Sequence, residues 1–235
     1  MPSIKTHYFF AHKLYQQDHA RFDFLRKNED VLYLTAQGPD PFMFYGYVFW
    51  RKRKNVQTIR EFASSLHNNQ QNIIDKFRCF FAYANTLKNG EKEVALTAIY
   101  GELTHYMLDR RMHPYVFYKT GYLDEVEVPN YMYDHARFES MIDTALEHYY
   151  QRRIKAANLV ACSSRKVAII DAMYAHCFAT LAPLTYQKSV EDMHTIEAVL
   201  QDRFGWKKAL LRLLGLKKHQ AYALSHFYHR PKRDT

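Results

Sequence analysis

The sequence predicts an all-α protein that folds as a single multi-helix bundle. Gly and Pro are scarce, with seven of each among 235 residues, which disfavours a turn-rich sandwich or barrel and favours long helices with short connections. Apolar residues make up 48% of the chain, enough for one substantial core. Because no repeat, low-complexity segment or Gly/Ser linker marks a boundary, we treat residues 1–235 as one domain.

Six segments carry apolar residues at helical spacing. In the first of them the apolar set includes Tyr8, Ala11 and Leu14. The stretch Asn28–Thr35 fits either a helix or an extended segment. Together the segments predict a bundle of six or more helices. The six are Ile4–Phe24, Thr58–Leu87, Lys92–Met112, Tyr131–Ala157, Ser164–Ala182 and Ser189–Leu214.

Gly, Pro and Asn mark the breaks between these helices. Gln37-Gly38-Pro39-Asp40-Pro41 is the densest turn signal in the chain. Asn89-Gly90 predicts the end of the second helix, and Pro114 predicts that the third helix stops at Met112. The remaining breaks fall at Lys119–Pro129, Pro183 and Gly205.

Two consecutive helices carry a pattern typical of metal ligands. His105, Asp109 and His113 lie at i, i+4 and i+8, so they share one face of the third helix. His135 and Glu139 repeat the i, i+4 spacing, at which two side chains can bind one ion. Both sets lie among apolar residues, where unpaired carboxylates and imidazoles are costly to bury. Without a nearby Cys, these ligands suit Zn²⁺ or another first-row divalent ion rather than Mg²⁺ or Ca²⁺.

A simpler interpretation of the same residues stays open. A His/Asp pair at i, i+4 often forms a hydrogen bond or salt bridge on a helix surface. A His on an apolar face is often a core residue with an ordinary partner. Two sets on consecutive helices favour a metal site, but the spacing alone does not decide between the two interpretations.

Five stretches of the chain match one known pattern. They cover residues 3 to about 147, and on them the chain resembles the zinc-dependent phospholipase C family of bacteria. That family's all-helical fold is related to the S1/P1 nucleases and holds three zinc ions. The resemblance implies a fold of the phospholipase C/P1 nuclease type, with helices and a basic tail at about 160–235. The stretches are Thr6–Ala11, Gln37–Asp40, Leu66–Asn69, Gly101–Pro114 and His135–Glu139.

The resemblance also implies which residues bind each ion. In secreted family members an N-terminal Trp completes the third site, whereas this chain begins Met-Pro, six residues before His7. Either the third ion has different ligands here, or the cluster holds two ions. The implied ligands are Asp40, His67, His105 and Asp109 for the first ion, His113, His135 and Glu139 for the second, and Asp109 with His7 for the third.

The activity implied by the resemblance is metal-dependent hydrolysis of a phosphodiester or phospholipid-like substrate, in which a water activated by the cluster attacks phosphorus. Asp40 is the candidate to accept a proton from that water. Two alternatives stay open: an S1/P1-type nuclease, and a non-catalytic metal-binding helical protein. The first 202 residues carry a net charge of only +1, which disfavours the nuclease because single strands require a basic groove.

The positive charge of the chain lies in its tail. Residues 203–235 contain nine Lys or Arg and one acid, so they carry +8 of the net charge of +9. Within this tail Trp206–Lys218 alternates cations with Leu at helical spacing. The segment fits either an anionic membrane surface or a last helix packed on the bundle.

The predictions of cellular location and of the role of the cysteines rest on patterns that the sequence lacks. No apolar run approaches the roughly 20 residues that span a bilayer, and the N-terminus lacks a signal-peptide pattern, so we expect a cytoplasmic protein. Cys79, Cys162 and Cys177 have neither metal-ligand nor redox-motif spacing. We interpret Cys79 and Cys177 as small buried hydrophobic residues.

Aromatic residues follow Asp40 directly, in the stretch Phe42-Met43-Phe44-Tyr45. They are candidates for one wall of a substrate pocket. The alternative, which we favour because aromatic side chains mostly fill cores, is that they belong to the hydrophobic core.

Overall fold

The computed structural model describes residues 4–17, 23–68, 71–121, 131–201 and Leu213. All regular secondary structure in these residues is helical, which confirms the all-α prediction. The helices are α1 (Ile4–Gln17), α2 (Asp23–Arg26), α3 (Glu29–Thr35), α4 (Asp40–Met43), α5 (Val56–Asn68), α6 (Gln71–Thr86), α7 (Asn89–Thr120), α8 (Tyr131–Tyr149), α9 (Ala156–Leu159), α10 (Ser164–Cys177) and α11 (Thr185–Leu200).

Helix α7 is the long central element, with 32 residues. It packs against α1, α2, α3, α6, α8 and α10. The prediction that it stops at Met112 is wrong, because the helix continues through Pro114. A proline removes one backbone donor, and here the helix continues until Gly121, whose φ of +81° closes it in the left-handed region that glycine tolerates.

Asn89-Gly90 opens α7 instead of ending the preceding helix, which stops at Thr86. Asn89 has a positive φ of 50°, a conformation that Asn adopts more readily than most residues. The dipeptide therefore marks a break, but its sequence does not say which helix it belongs to.

Other boundaries also differ from the predictions. The segment predicted as Thr58–Leu87 is two helices, α5 and α6, and Asn28–Thr35 contains the helix α3. Asp171, buried on α10, accepts hydrogen bonds from the backbone amides of Leu184, Tyr186 and Gln187. These bonds explain why α11 begins at Thr185, four residues before the predicted start. Gly205 and, apart from Leu213, the basic segment 206–218 lie outside the described residues.

The core is rich in aromatic rings. Phe42, Phe44 and Tyr45 are each at most 6% exposed, so the interpretation of this stretch as core is confirmed. The ring of Phe42 makes edge contacts with Tyr174 and Tyr186, whose own rings stack 5.0 Å apart. This packing fixes the chain immediately after Asp40.

A disulfide joins Cys79 on α6 to Cys177 at the end of α10, across 98 residues of sequence. The interpretation of these two residues as small buried hydrophobes is therefore wrong. Two cysteines so far apart in the chain carry no local pairing signal, and only the packing of α6 against α10 brings them together. Cys162 is the free thiol, and its burial, with Asp30 nearby, raises its pKa to about 12.

Among the described residues, no helix combines the length and the apolar character needed to cross a membrane.

Candidate metal centre

Five helices bring the eight candidate ligands together around the middle of α7. The residues form two groups that meet at Asp109. The first group consists of His7 on α1, Asp40 at the start of α4, His67 on α5, and His105 and Asp109 on α7; the second consists of His113 on α7 with His135 and Glu139 on α8.

Carboxylate and imidazole atoms of the first group lie at ligand-to-ligand distances. Nε2 of His67 is 2.9 Å from Oδ1 of Asp40. Asp109 places Oδ2 3.0 Å from Nε2 of His105, and Oδ1 3.2 Å from Nε2 of His7. Two atoms bound to one tetrahedral zinc ion lie about 3.3 Å apart, given bonds of about 2.0–2.2 Å. The separations in the first group are therefore close to those of a filled site.

Backbone carbonyls fix the orientation of two of the imidazoles. Nδ1 of His105 is 3.2 Å from the carbonyl oxygen of Ala36, and Nδ1 of His67 is 2.9 Å from that of Ala63. A carbonyl only accepts, so Nδ1 carries the hydrogen in both rings. When the rings are neutral, Nε2 then presents a lone pair to a carboxylate oxygen. Such a pair needs a cation, either a proton on the imidazole or a metal ion between the atoms.

Several buried atoms of the first group lack a hydrogen-bond partner. They are Oδ2 of Asp40, Nδ1 of His7 and Nε2 of His105. Although Nε2 of His105 is 3.0 Å from Asp109, the contact does not have hydrogen-bond geometry. Orphaned buried polar atoms cost about 1–3 kcal/mol each, and converging metal ligands are one arrangement in which they become satisfied. The donor set thus fits a divalent ion.

The pKa values follow from these contacts. Burial by itself raises the pKa of Asp109, but the imidazoles of His105 and His7 outweigh burial and hold it well below its usual range. For His105, burial lowers the pKa and Asp109 raises it, and the balance puts it at about 9. Burial likewise opposes ionisation of Asp40, but the hydrogen bond from His67 and the charge of His105 lower its pKa overall. Both carboxyls are therefore ionised at neutral pH.

The second group is looser and lies beside a cavity. Nε2 of His135 is 2.9 Å from Oε1 of Glu139, and Nε2 of His113 is 3.9 Å from the same oxygen. Burial lowers the pKa of His113 more than Asp109 and Glu139 raise it, which favours the neutral imidazole that binds metals. The cavity, of about 20 Å³, is large enough for a water molecule. Its lining includes His7, Asp109, His113 and Glu139.

Asp109 connects the two groups. Its Oδ2 atom lies 3.0 Å from His105 in the first group and 3.9 Å from Nδ1 of His113 in the second. A carboxylate in this position can bridge two ions, because its oxygens face ligands of both. The family resemblance implies that Asp109 bridges the first ion and the third, and its oxygens lie 3.0 Å from Nε2 of His105 and 3.2 Å from Nε2 of His7, distances that suit this role.

Two supporting residues were missed by the sequence analysis. Asp143 on α8 accepts bonds from the backbone amides of Lys5 and Thr6, at 3.2 and 2.6 Å, and so fastens the start of α1 beside His7. Gly38, at φ +54°, lies so close that an added Cβ would collide with the His105 ring. Only Gly38 gave a signal beforehand, since it belongs to the densest turn of the chain.

Comparisons with protein-family models, curated proteins and solved structures found no match to this chain. The resemblance to zinc-dependent phospholipases C therefore stays an expectation drawn from sequence motifs. Any function assigned to the site rests on its own residues and geometry.

Proposed function

We propose that this protein is a metal-dependent phosphoester hydrolase with two or three divalent ions, zinc in the first instance, held by the two ligand groups. The observation that carries the proposal is the convergence of three carboxylates and five imidazoles, with orphaned buried atoms, on one bridging aspartate. With neutral imidazoles the cluster carries three negative charges. These charges require either protons on the imidazoles or bound cations, and the ligand chemistry favours a first-row divalent metal.

Each ion would have identifiable ligands. In the family pattern, Asp40, His67, His105 and Asp109 would hold the first, His113, His135 and Glu139 the second, and Asp109 with His7 the third. Among the described residues, the groups whose ligand atoms lie within 4.8 Å of one another are His7/Asp40/His105, His67/His105/Asp109 and His113/His135/Glu139. When bound, such ions lower the pKa of a shared water and neutralise charge on a phosphoryl group. The residues themselves keep the ions close together and leave room beside His113 and Glu139.

Asp40 has a further proposed role, as proton acceptor from the attacking water. Its carboxyl is 1% exposed, and Oδ1 is held by His67 while Oδ2 has no hydrogen-bond partner. Asp40 is ionised at neutral pH, which is the state that accepts a proton. His67 thus orients one oxygen and leaves the other available.

A non-catalytic metal-binding protein would need a different number of protein ligands on each ion. Structural zinc sites are closed by four protein ligands, whereas catalytic sites keep a position for water. The second group supplies three residues and adjoins a cavity of about 20 Å³. This arrangement supports the catalytic proposal. The phosphodiester or phospholipid-like substrate is proposed from the family resemblance, and a screen should include single-stranded nucleic acid.

The cytoplasmic location also stays a prediction. The Cys79–Cys177 disulfide would be unusual there, because disulfides persist mainly in oxidising compartments. Alkylation of the chain in freshly lysed cells, followed by mass spectrometry, would show whether the two thiols are free in their native compartment.

The test of the proposed function is metal content followed by activity. We expect about two or three equivalents of zinc or a similar ion per chain, by plasma mass spectrometry, in protein purified without chelator. His105→Ala/His135→Ala should lose most of this metal and the hydrolysis of a chromogenic phosphodiester. His148→Ala/His194→Ala, which removes two exposed histidines, is the matched control. Less than half an equivalent after zinc is offered would reject the proposal, as would metal binding without hydrolysis of any phosphodiester tested.

A further inference from the structure

A loop between α4 and α5 exposes an unusual amount of aromatic surface. We call Tyr47–Lys54 the aromatic loop. Phe49 is 87% exposed and Trp50 57%, and their rings meet edge to face with centroids 4.7 Å apart. Tyr47 beside them is 46% exposed, whereas Val48 is buried at 1% and anchors the loop in the protein. Contiguous exposed apolar patches often mark interaction sites, whereas hydrophobic residues exposed singly are common on any protein surface.

The loop is held in place by one buried carboxylate. Asp192 on α11, which is 0% exposed, accepts a hydrogen bond from the backbone amide of Gly46 at 2.9 Å. It also pairs with Arg51 at 3.2 Å and with Arg53 at 2.8 Å. Burial opposes ionisation of Asp192, but the hydrogen bonds from Arg53 and Gly46 outweigh it and lower the pKa. Phe49 is thus presented to solvent by an anchored backbone.

Four basic residues, Arg51–Lys54, follow the exposed rings directly along the loop. Arg51 and Arg53 neutralise Asp192 and Glu191 of α11. Lys52 and Lys54 alternate with them along the loop and are exposed. The loop therefore carries two exposed lysines within four residues of the exposed Trp50.

We infer that the aromatic loop binds the surface of a lipid bilayer that contains anionic lipid. Phe49 and Trp50 enter the boundary between headgroups and acyl chains, where aromatic rings and above all Trp are favoured. Lys52 and Lys54 lie at the depth of the headgroups and contact their phosphates or carboxylates. The paired arginines hold the loop to the protein, so little ordering is needed on binding.

Two other partners fit the loop less well. A single-stranded nucleic acid stacks its bases on ring faces along a basic groove, whereas the rings of Phe49 and Trp50 are perpendicular and the guanidinium groups of Arg51 and Arg53 are already paired with carboxylates. A second copy of the chain, docked symmetrically through this loop, would bring Lys52 and Lys54 against the same lysines. An anionic bilayer satisfies both the rings and the charges.

The inference does not depend on the proposed hydrolase. It also differs from the membrane interpretation of the basic segment 206–218, because it assigns the contact to a loop of the folded domain. The experiment therefore uses the full chain, with the basic tail intact, and changes only the aromatic loop.

The test is co-sedimentation with vesicles of phosphatidylcholine, alone or with roughly one third phosphatidylserine. We expect binding to the anionic vesicles, and a loss of about tenfold or more in partitioning for both Phe49→Ala/Trp50→Ala and Lys52→Glu/Lys54→Glu. Tyr118→Ala/Tyr149→Ala removes two rings that are 78% and 77% exposed and should bind like the wild type. Lys13→Glu/Lys88→Glu, at two exposed lysines elsewhere, controls for net charge.

A second measurement does not depend on the loop variants. Trp206→Phe leaves Trp50 as the single tryptophan, and its emission should move to shorter wavelength on anionic vesicles. Absence of this shift, or unchanged partitioning of the loop variants, would overturn the inference. It would also be overturned if the wild type ignored vesicles, or if the variants instead lost self-association or single-stranded DNA binding.

Discussion

Glu102 and Asp109 lie two turns apart on α7, and both carboxylates are buried, yet they are neutralised in different ways. Glu102 receives the ammonium of Lys76 at 2.9 Å and the hydroxyl of Tyr174. Among the described residues, the ionisable groups that pair with Asp109 are imidazoles, those of His7, His105 and His113. Burial and the charge of Glu102 raise the pKa of Tyr174 well above its usual value, so its hydroxyl remains a donor.

The contrast shows what each region of α7 requires. The chain itself supplies a permanent cation to Glu102, so this network is complete in the folded protein. Around Asp109 the cation must be a proton on an imidazole or an ion from solution. A buried carboxylate is therefore evidence for a metal site only when the chain offers no permanent cation to it.

The largest expected effect concerns Asp40, which belongs to the same ligand group as Asp109. Asp40→Asn should lower turnover of the metal-loaded protein by about 10²–10⁴, because the amide cannot accept the proton. Asp75→Asn, at an exposed acid of α6, should leave the rate unchanged. Metal content is measured in parallel. If the metal stays bound and turnover falls by less than about tenfold, Asp40 is not the proton acceptor. If the metal is lost, the fall in turnover is explained by the missing ligand alone.

Changes in the network of Lys76, Glu102 and Tyr174 should alter the stability of the fold. Lys76→Met should lower the free energy of unfolding by about 3–5 kcal/mol, because it leaves Glu102 buried and unpaired. Lys76→Met/Glu102→Gln should recover most of this loss, and the exposed Lys13→Met should change little. Urea unfolding measures all three. A small effect of Lys76→Met would mean that Glu102 is neutralised by protonation, and the comparison with Asp109 would fail.

The Cys79–Cys177 disulfide lies next to the Glu102 network. Cys79 follows Lys76 by one helical turn, and Cys177 follows Tyr174 by one turn. Cys79→Ser/Cys177→Ser should cost about 2–5 kcal/mol of stability. It should not change the metal content, because none of the eight candidate ligands lies on α6 or α10. Cys162→Ser is the matched control at the free thiol. Metal loss in the double variant would show that the two regions are coupled.

The smallest expected effect is a pH dependence of the metal-free protein. The pKa of His105 is raised to about 9, so the stabilisation by its proton is complete below the unfolded value of about 6.5 and is lost as the pH rises through about 9. Unfolding of metal-free protein between these limits should show the decline, of roughly 1–3 kcal/mol. His105→Gln should lack it, and zinc should abolish it by replacing the proton. A flat profile for metal-free wild type would contradict the assigned protonation.

Much of the fold followed from local patterns. Scarce Gly and Pro with helical periodicity predicted the all-α class, because backbone geometry repeats every 3.6 residues whatever the tertiary context. Helix ends were less predictable. Asn89-Gly90 starts a helix and Pro114 lies inside one, since the packing of neighbouring helices decides whether a weak break is tolerated.

The candidate site divides in the same way. Spacing alone placed His105, Asp109 and His113 on one helical face and paired His135 with Glu139, because i and i+4 are neighbours on any helix. The inclusion of His7, Asp40 and His67 came from the family resemblance. Spacing could not supply these three, since their partners lie on other helices.

The sequence by itself thus determined the helical class of this protein and the local pairing of the candidate ligands on α7 and α8. Tertiary structure alone decided that Lys76 neutralises Glu102, that Cys79 bonds Cys177 and that Phe49 stands exposed on an anchored loop. The physical reason is the sequence separation between the residues that interact. Periodicity is encoded within a few residues, whereas the partner of a buried charge, a thiol or an aromatic ring depends on which helices pack together.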